Sequence, residues 1–255
     1  MLFLNPDHHR FDIVTLVGPK DVALLKHQIE HSKKNIVGYR NIYLIPSDPD
    51  IQLDGCVTVD EKIFPFSIKD VIRYHGKQRK NGWYLQQLLK LYAGFVLPIS
   101  KRYLVIDADT FFLRPIHFIY EDKSILNFTA PIHRDPFFDH MKKIHPSLGE
   151  SYETSFGDIE VQLSGITHHM MFETKYLKEL FDLVEDYHKK EFWEVFLGNV
   201  AFPAGQGASE YEIYFHYMLK YHRKEIKIRC LKWKNARDLT SAQEYDYISC
   251  HWHMR

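Results

Sequence analysis

Arg102-Tyr-Leu-Val-Ile-Asp-Ala-Asp-Thr-Phe-Phe-Leu-Arg-Pro115 is the stretch whose reading decides the fold. Tyr103 to Ile106 is a short aromatic and β-branched run, the pattern of a strand buried on both faces of a parallel sheet. Asp107 and Asp109 stand where that strand ends, at the edge where open α/β sheets bind ligands. If the chain stays extended, the two acids point the same way on the order of 7 Å apart. Bare charges at that distance repel by roughly 2 kcal/mol at an effective dielectric of about 20, so the pair calls for a cation. Carboxylate oxygens with room for further oxygens suit Mg²⁺ or Mn²⁺, and a diphosphate would complete the shell. The plainer alternative is one Asp capping a turn and the other solvated, although a turn needs only one acid.

The 255 residues suffice for one sizeable core, so a single α/β domain with a mostly parallel central sheet flanked by helices is expected. Lys plus Arg and Asp plus Glu balance at 33 each, and no dense basic cluster stands out, which argues against nucleic-acid binding through bulk charge. Cys56, Cys230 and Cys250 are odd in number and far apart, a usage that fits a reducing compartment rather than a disulfide framework. The amino-terminal stretch turns polar too soon for a signal peptide, and no apolar run approaches the ~18 residues of a membrane span. A soluble, cytoplasmic protein is therefore expected.

Working outward from the acidic strand, Phe11 to Val17, Asn41 to Ile45 and Cys56 to Val59 read as further strands, with a helix from Val22 to about His31 capped by Asp21. The turn after the first strand lacks Gly-x-Gly-x-x-Gly, so the dinucleotide fingerprint is absent. Asn81 to Gly94 reads as a helix with Leu85, Leu88, Leu89 and Tyr92 on its core face, Gln86, Gln87 and Lys90 towards its other sides, and Gly94 at its end. Phe128 to Asp158 has little periodicity, as functional loops often do, apart from a short helix at Phe137 to Ile144. Val161 to Phe172 reads as a strand, on which His168 and His169 face opposite ways. Thr174 to Tyr187 reads as an amphipathic helix with Leu177, Leu180, Phe181 and Val184 inward. Ser209 and Glu212 have capping-box spacing, leaving Glu210 without a structural task. On a terminal strand, His251 and His253 share a face opposite Cys250 and Trp252.

Asp107-Ala108-Asp109, set between an apolar strand and a nearby proline, resembles the Asp-x-Asp motif of nucleotide-sugar-dependent glycosyltransferases of the GT-A fold. The order of the later segments resembles that family too. The resemblance implies a nucleotide-sugar half over about 1–115 and an acceptor half with a metal-ligand tail over about 116–255. It implies Mn²⁺ or Mg²⁺ bound by Asp109 and by His251 or His253, with Asp107 on the ribose or on the metal through water. Thr15 and Val17 would line the base pocket, and Asp60 would contact ribose or base. Trp83, Gln86 and Lys90 would meet the donor sugar, His168 or His169 would face the cleft, and Glu210 would be the general base of an inverting transfer. The donor would be a UDP- or GDP-sugar and the acceptor a carbohydrate or glycoconjugate hydroxyl. Three alternatives stand beside this reading. A sugar-1-phosphate nucleotidyltransferase would want a longer, glycine-rich basic loop than Val17-Gly-Pro-Lys20. A metal hydrolase finds no His-Glu-x-x-His. A sugar-binding domain would not require the second Asp.

Overall fold

The computed structural model describes residues 11–130, 136–150, 152–156, 159–239, 244–252 and 254. In chain order, β1 (Phe11–Val17) leads to α1 (Val22–Asn35), β2 (Ile36–Val37), β3 (Tyr39–Pro46), β4 (Val57–Thr58), α2 (Ile68–His75), α3 (Asn81–Val96) and β5 (Arg102–Ile106). Then come β6 (Thr110–Phe112), β7 (Ile116–His117), β8 (Ile119–Tyr120), β9 (Lys123–Phe128), α4 (Phe137–Ile144), and a hairpin of β10 (Glu153–Phe156) and β11 (Ile159–Gln162). The remainder is β12 (His169–Glu173), α5 (Thr174–His188), α6 (Phe192–Gly198), α7 (Glu210–Tyr221), β13 (Ile226–Cys230), β14 (Trp233–Asn235) and β15 (Tyr247–Ser249). Among the described residues no helix is long and apolar enough to cross a membrane.

The fold is mixed α/β. Its five-stranded sheet runs β4-β3-β1-β5-β12, parallel except for β12, which pairs antiparallel with β5 at the edge. Every residue of β1 and all of Tyr103–Ile106 are buried, as expected for strands covered on both faces. From β1 the chain moves outward through β3 to β4 and then returns to the other side of β1 for β5. The carboxyl ends of β1 and β5 therefore flank a topological switch point, the place where such sheets leave a crevice.

Several expectations are corrected by packing. The third strand shrinks to Val57–Thr58. Asp21 occupies the N-cap position of α1 without a side-chain capping bond. Val161 to Phe172 is not one strand, because His168 takes φ +62° and β12 starts only at His169. Gly94 does not end α3, which runs on to Val96; a Cβ there would lie 2.5 Å from Thr174 Oγ1 and 2.8 Å from Tyr103 Cε1, so the glycine permits a close approach. Helix α1 is held by polar contacts that sequence periodicity does not report. Gln28 Nε2 donates to Thr110 O at 3.3 Å and Asn35 Nδ2 to Phe112 O at 2.6 Å, so buried amides dock the helix on β6.

Strand β6 in turn pairs antiparallel with β15, Ser249 opposite Thr110, and β14 lies parallel beyond β15. This register carries the carboxyl-terminal segment to the acidic turn at the end of β5.

Two outcomes are expected from the packing. Gly94→Ala should destabilise by about 1–3 kcal/mol despite alanine's better helix propensity, because the site is already filled; a chemical-denaturation midpoint equal to the parent's would refute the close-approach account. Burial pushes the His140 imidazole down to about 4, while its Nε2 bonds Phe196 O at 2.8 Å. The unfolded chain takes up that proton below about pH 6.5, so stability present above that value is lost as pH falls towards 4. The loss assigned to His140 between about pH 7 and about pH 5 is roughly 2 kcal/mol. His140→Gln should lose that much less than the parent over the same interval, and equal losses would exclude His140 as the source.

Candidate active site

The end of β5 does not stay extended. Thr110 N donates to Asp107 O at 2.9 Å and closes a turn, so Asp107 and Asp109 diverge into two different environments instead of projecting side by side. Asp107 Oδ1 accepts from Lys90 Nζ at 2.7 Å and from Tyr211 OH at 2.8 Å, while Oδ2 lies 3.5 Å from His168 Nδ1. Lys90 also donates to Glu210 Oε1 at 2.6 Å, and its ammonium sits 4.4 Å from the centre of the Tyr211 ring.

Lys90 is only 7% exposed, so it is not the solvated residue that its helix position suggests. Burial by itself would lower its pKa, but Asp107 and Glu210 outweigh it and hold the ammonium above its ordinary value. Burial would likewise raise the Asp107 carboxyl; Lys90 and then His168 overcome that and keep it well below the usual carboxylate range. At Glu210 burial wins, pushing the carboxyl up against the opposing pull of Lys90.

Asp109 meets the carboxyl-terminal segment. Its Oδ2 accepts from His251 Nδ1 at 3.0 Å, its Oδ1 from Ser249 Oγ at 3.1 Å, and its carbonyl from Cys250 N at 2.7 Å. The hydrogen bond to Asp109 raises the His251 pKa against burial. The rings of His251 and His168 are 4.9 Å apart, and His168 also packs edge-on against Trp233 at 5.0 Å. Two acids and two imidazoles are thus gathered at the sheet's carboxyl edge. Among the described residues no three His, Cys, Asp or Glu side chains converge as a ready-made metal cage.

Other expected site residues fall elsewhere. Thr15 and Val17 are fully buried in β1, so neither is open to a nucleoside; the chain first reaches solvent at Pro19. Asp60 accepts from Lys62 N at 2.9 Å and caps a short 3₁₀ turn. Gln86 is half-buried, its Nε2 where it would stand 3.3 Å from a Cβ on Gly18, so it reaches the end of β1. Trp83 is half-buried beside Lys80, whose Nζ is 5.3 Å from the ring centre. His169 faces the core: it is 1% exposed and its Nε2 lies 2.6 Å from Asn127 Nδ2, which leaves His168 as the one histidine of the pair at the cleft. His253 lies outside the described residues. Glu212 completes only half of a capping box. Ser209 Oγ accepts from Glu212 N at 3.3 Å, but the Glu212 carboxylate accepts from Ser164 Oγ at 2.6 Å and Gly165 N at 2.9 Å, tying α7 to the chain ahead of β12.

Glu210 also departs from expectation. A general base must meet the acceptor hydroxyl, whereas this side chain is 5% exposed and bound to Lys90 behind Asp107. Its position is that of a countercharge. Tyr211, Ser249 and Trp233 belong to the site and have no signal in the sequence beyond their place next to Glu210, Cys250 and Lys232.

The chain matches no curated protein. Solved structures similar to it include the crystal structure of mouse xyloside xylosyltransferase 1 in its apo form, at 10% identity and a TM-score of 0.47, with 94% of this chain and 97% of that one covered. The sequence model of a family of unknown function, DUF6492, matches residues 7–244, and the chain belongs to that family.

Proposed function

We propose that the protein is a metal-dependent glycosyltransferase that moves a sugar from a nucleoside diphosphate sugar, with a uracil or guanine base, to a hydroxyl of a carbohydrate or glycoconjugate. The observation that carries this reading is the Asp109–His251 contact beside Asp107 and His168 at the switch point of a parallel sheet. Its donor chemistry fits a divalent cation: Asp109 and His251 would hold it, Asp107 Oδ2 is the oxygen not used by Lys90 and Tyr211, and the remaining positions would be left to substrate oxygens. An imidazole among the ligands favours Mn²⁺ over Mg²⁺. Bound there, such an ion would offset diphosphate charge as the nucleoside diphosphate leaves.

The chain's own residues prepare that site. Lys90 and Tyr211 fix one oxygen of Asp107 and so orient the other. His168 holds a left-handed backbone, φ +62°, of the kind that persists in non-glycine residues where surrounding contacts impose it, and it presents its ring between Asp107, His251 and Trp233. Glu210 fixes Lys90.

A panel of UDP- and GDP-sugars, assayed with and without Mn²⁺ for hydrolysis and transfer, tests the reading. Asp109→Asn should keep its melting temperature and lose Mn²⁺ affinity by at least about 100-fold, since loss even of outer-shell partners costs about 10- to 100-fold. A variant that binds Mn²⁺ and nucleotide like the parent would sink the assignment.

Glu210→Gln separates the two roles of that acid. As a countercharge, its loss disturbs Lys90 and Asp107, so KM for the donor should rise while the acid limb of the pH–rate profile stays in place. Removal of a general base would instead lower kcat by about 10²–10⁴ and erase that limb.

A further inference from the structure

Lys20 stands in the turn after β1, and Arg79 and Lys80 end the loop that enters α3. Lys20 Nζ is 3.3 Å from the centre of the Trp252 ring, and Arg79 Cζ is 5.5 Å from the same centre. Lys80, half-buried beside Trp83, has its pKa lowered by burial and further by Arg79 and Lys20. Among the described residues none of these three cations is paired with a carboxylate. Two like charges on the order of 6 Å apart repel by about 1–3 kcal/mol over the range from surface to partly buried dielectric, and an exposed cation–π contact returns only about 0.5–1 kcal/mol. The cluster is therefore missing an anion. The first turn of α3 holds no acidic residue and Lys80 offers its amides no side-chain cap, so the helix adds its positive end to the same corner. The corner adjoins the candidate metal site, because Trp252 directly succeeds His251 on the segment that β15 fixes against β6.

We infer that Lys20, Arg79, Lys80 and Trp252 form a diphosphate-binding site, in which the phosphates of the departing nucleoside diphosphate displace Lys20 and Arg79 from the Trp252 ring and take their charge. The inference rests on the glycosyltransferase reading and extends it to a second set of residues. It also assigns Trp252, 43% exposed, a task for its open ring: holding two cations in place until the anion arrives.

The test uses the full chain with EDTA present, so that no metal contributes, and inorganic pyrophosphate as the probe, with UDP, GDP, uridine and guanosine as further arms. Calorimetry should show pyrophosphate and the diphosphates binding to the parent, more weakly as salt rises. The triple variant Lys20→Gln, Arg79→Gln, Lys80→Gln should bind them at least tenfold more weakly while the nucleosides are unaffected. Pyrophosphate should change the tryptophan emission of the parent, and Trp252→Phe should abolish that change. If the triple variant is poorly folded, Lys20→Gln and Arg79→Gln, both at exposed positions, serve singly with an expected loss of about threefold or more. Pyrophosphate binding that is absent from the parent, or equal in the folded variants, overturns the site. The two readings fail separately. Cluster-dependent pyrophosphate binding without turnover of any sugar nucleotide leaves the anion site standing and removes the glycosyltransferase. Equal turnover and equal binding in parent and triple variant do the reverse.

Discussion

One buried ammonium organises the site. Lys90 comes from the middle of α3, Asp107 from the end of β5 and Glu210 from the first turn of α7, and both carboxylates reach its Nζ within 2.7 Å. A charge removed from water is tolerated only when it is paired and hydrogen-bonded, and removing one member of such a pair costs about 3–5 kcal/mol. The three elements are therefore tied together where the sheet ends. Tyr103 OH donates to Lys90 O at 2.9 Å and binds the same helix turn to β5 from inside the core. Once Lys90 and Tyr211 have taken Oδ1 of Asp107, only Oδ2 faces the cleft, so two aspartates separated by one alanine have unequal tasks.

The second half of the site depends on strand pairing over a long sequence distance. Asp109 meets His251 because Ser249 pairs with Thr110, and β6 keeps its place because Gln28 and Asn35 of α1 satisfy its carbonyls. A helix docked by amides on a three-residue strand is an unusual use of buried polar groups, since each must find its partner to avoid a desolvation cost of about 1–3 kcal/mol. Their geometry specifies one register, and register decides which tail residue reaches Asp109.

Much of this was legible in sequence, and the limits have physical causes. The buried strands of β1 and β5, the core face of α3, the short helix at Phe137–Ile144 and the inward residues of α5 come from local periodicity, which is strong where burial is one-sided or complete. The acids at the end of β5 and the terminal His251 were legible as candidates through their spacing. Periodicity could not place Lys90, because a helix position marks a direction but not the groups that fill the space there. It also missed the break at His168, where Gly165 packs so closely that a Cβ would lie 2.4 Å from Phe215 Cβ, and the chain turns rather than extends. Base-pocket residues inside β1 were misplaced for a related reason: a strand covered on both faces exposes none of its own side chains to a ligand, and only the turn at its carboxyl end is open.

Charge is distributed unevenly around this crevice, and the unevenness bears on what the crevice binds. On the β5 side stand three carboxylates, Asp107, Asp109 and Glu210, against one buried ammonium, so the local balance is negative even before solvent is considered. On the β1 and α3 side stand Lys20, Arg79 and Lys80 without a carboxylate partner among the described residues. A small cation alone would leave the second side unmatched, and a bare phosphate would be repelled by the first. A cation carried on a diphosphate is itself polarised, positive at the metal and negative along the phosphates, and it matches both sides at once. The Ser249–Trp252 segment spans the boundary, with His251 turned to the acids and Trp252 to the bases, so one backbone register sets both halves of that complementarity.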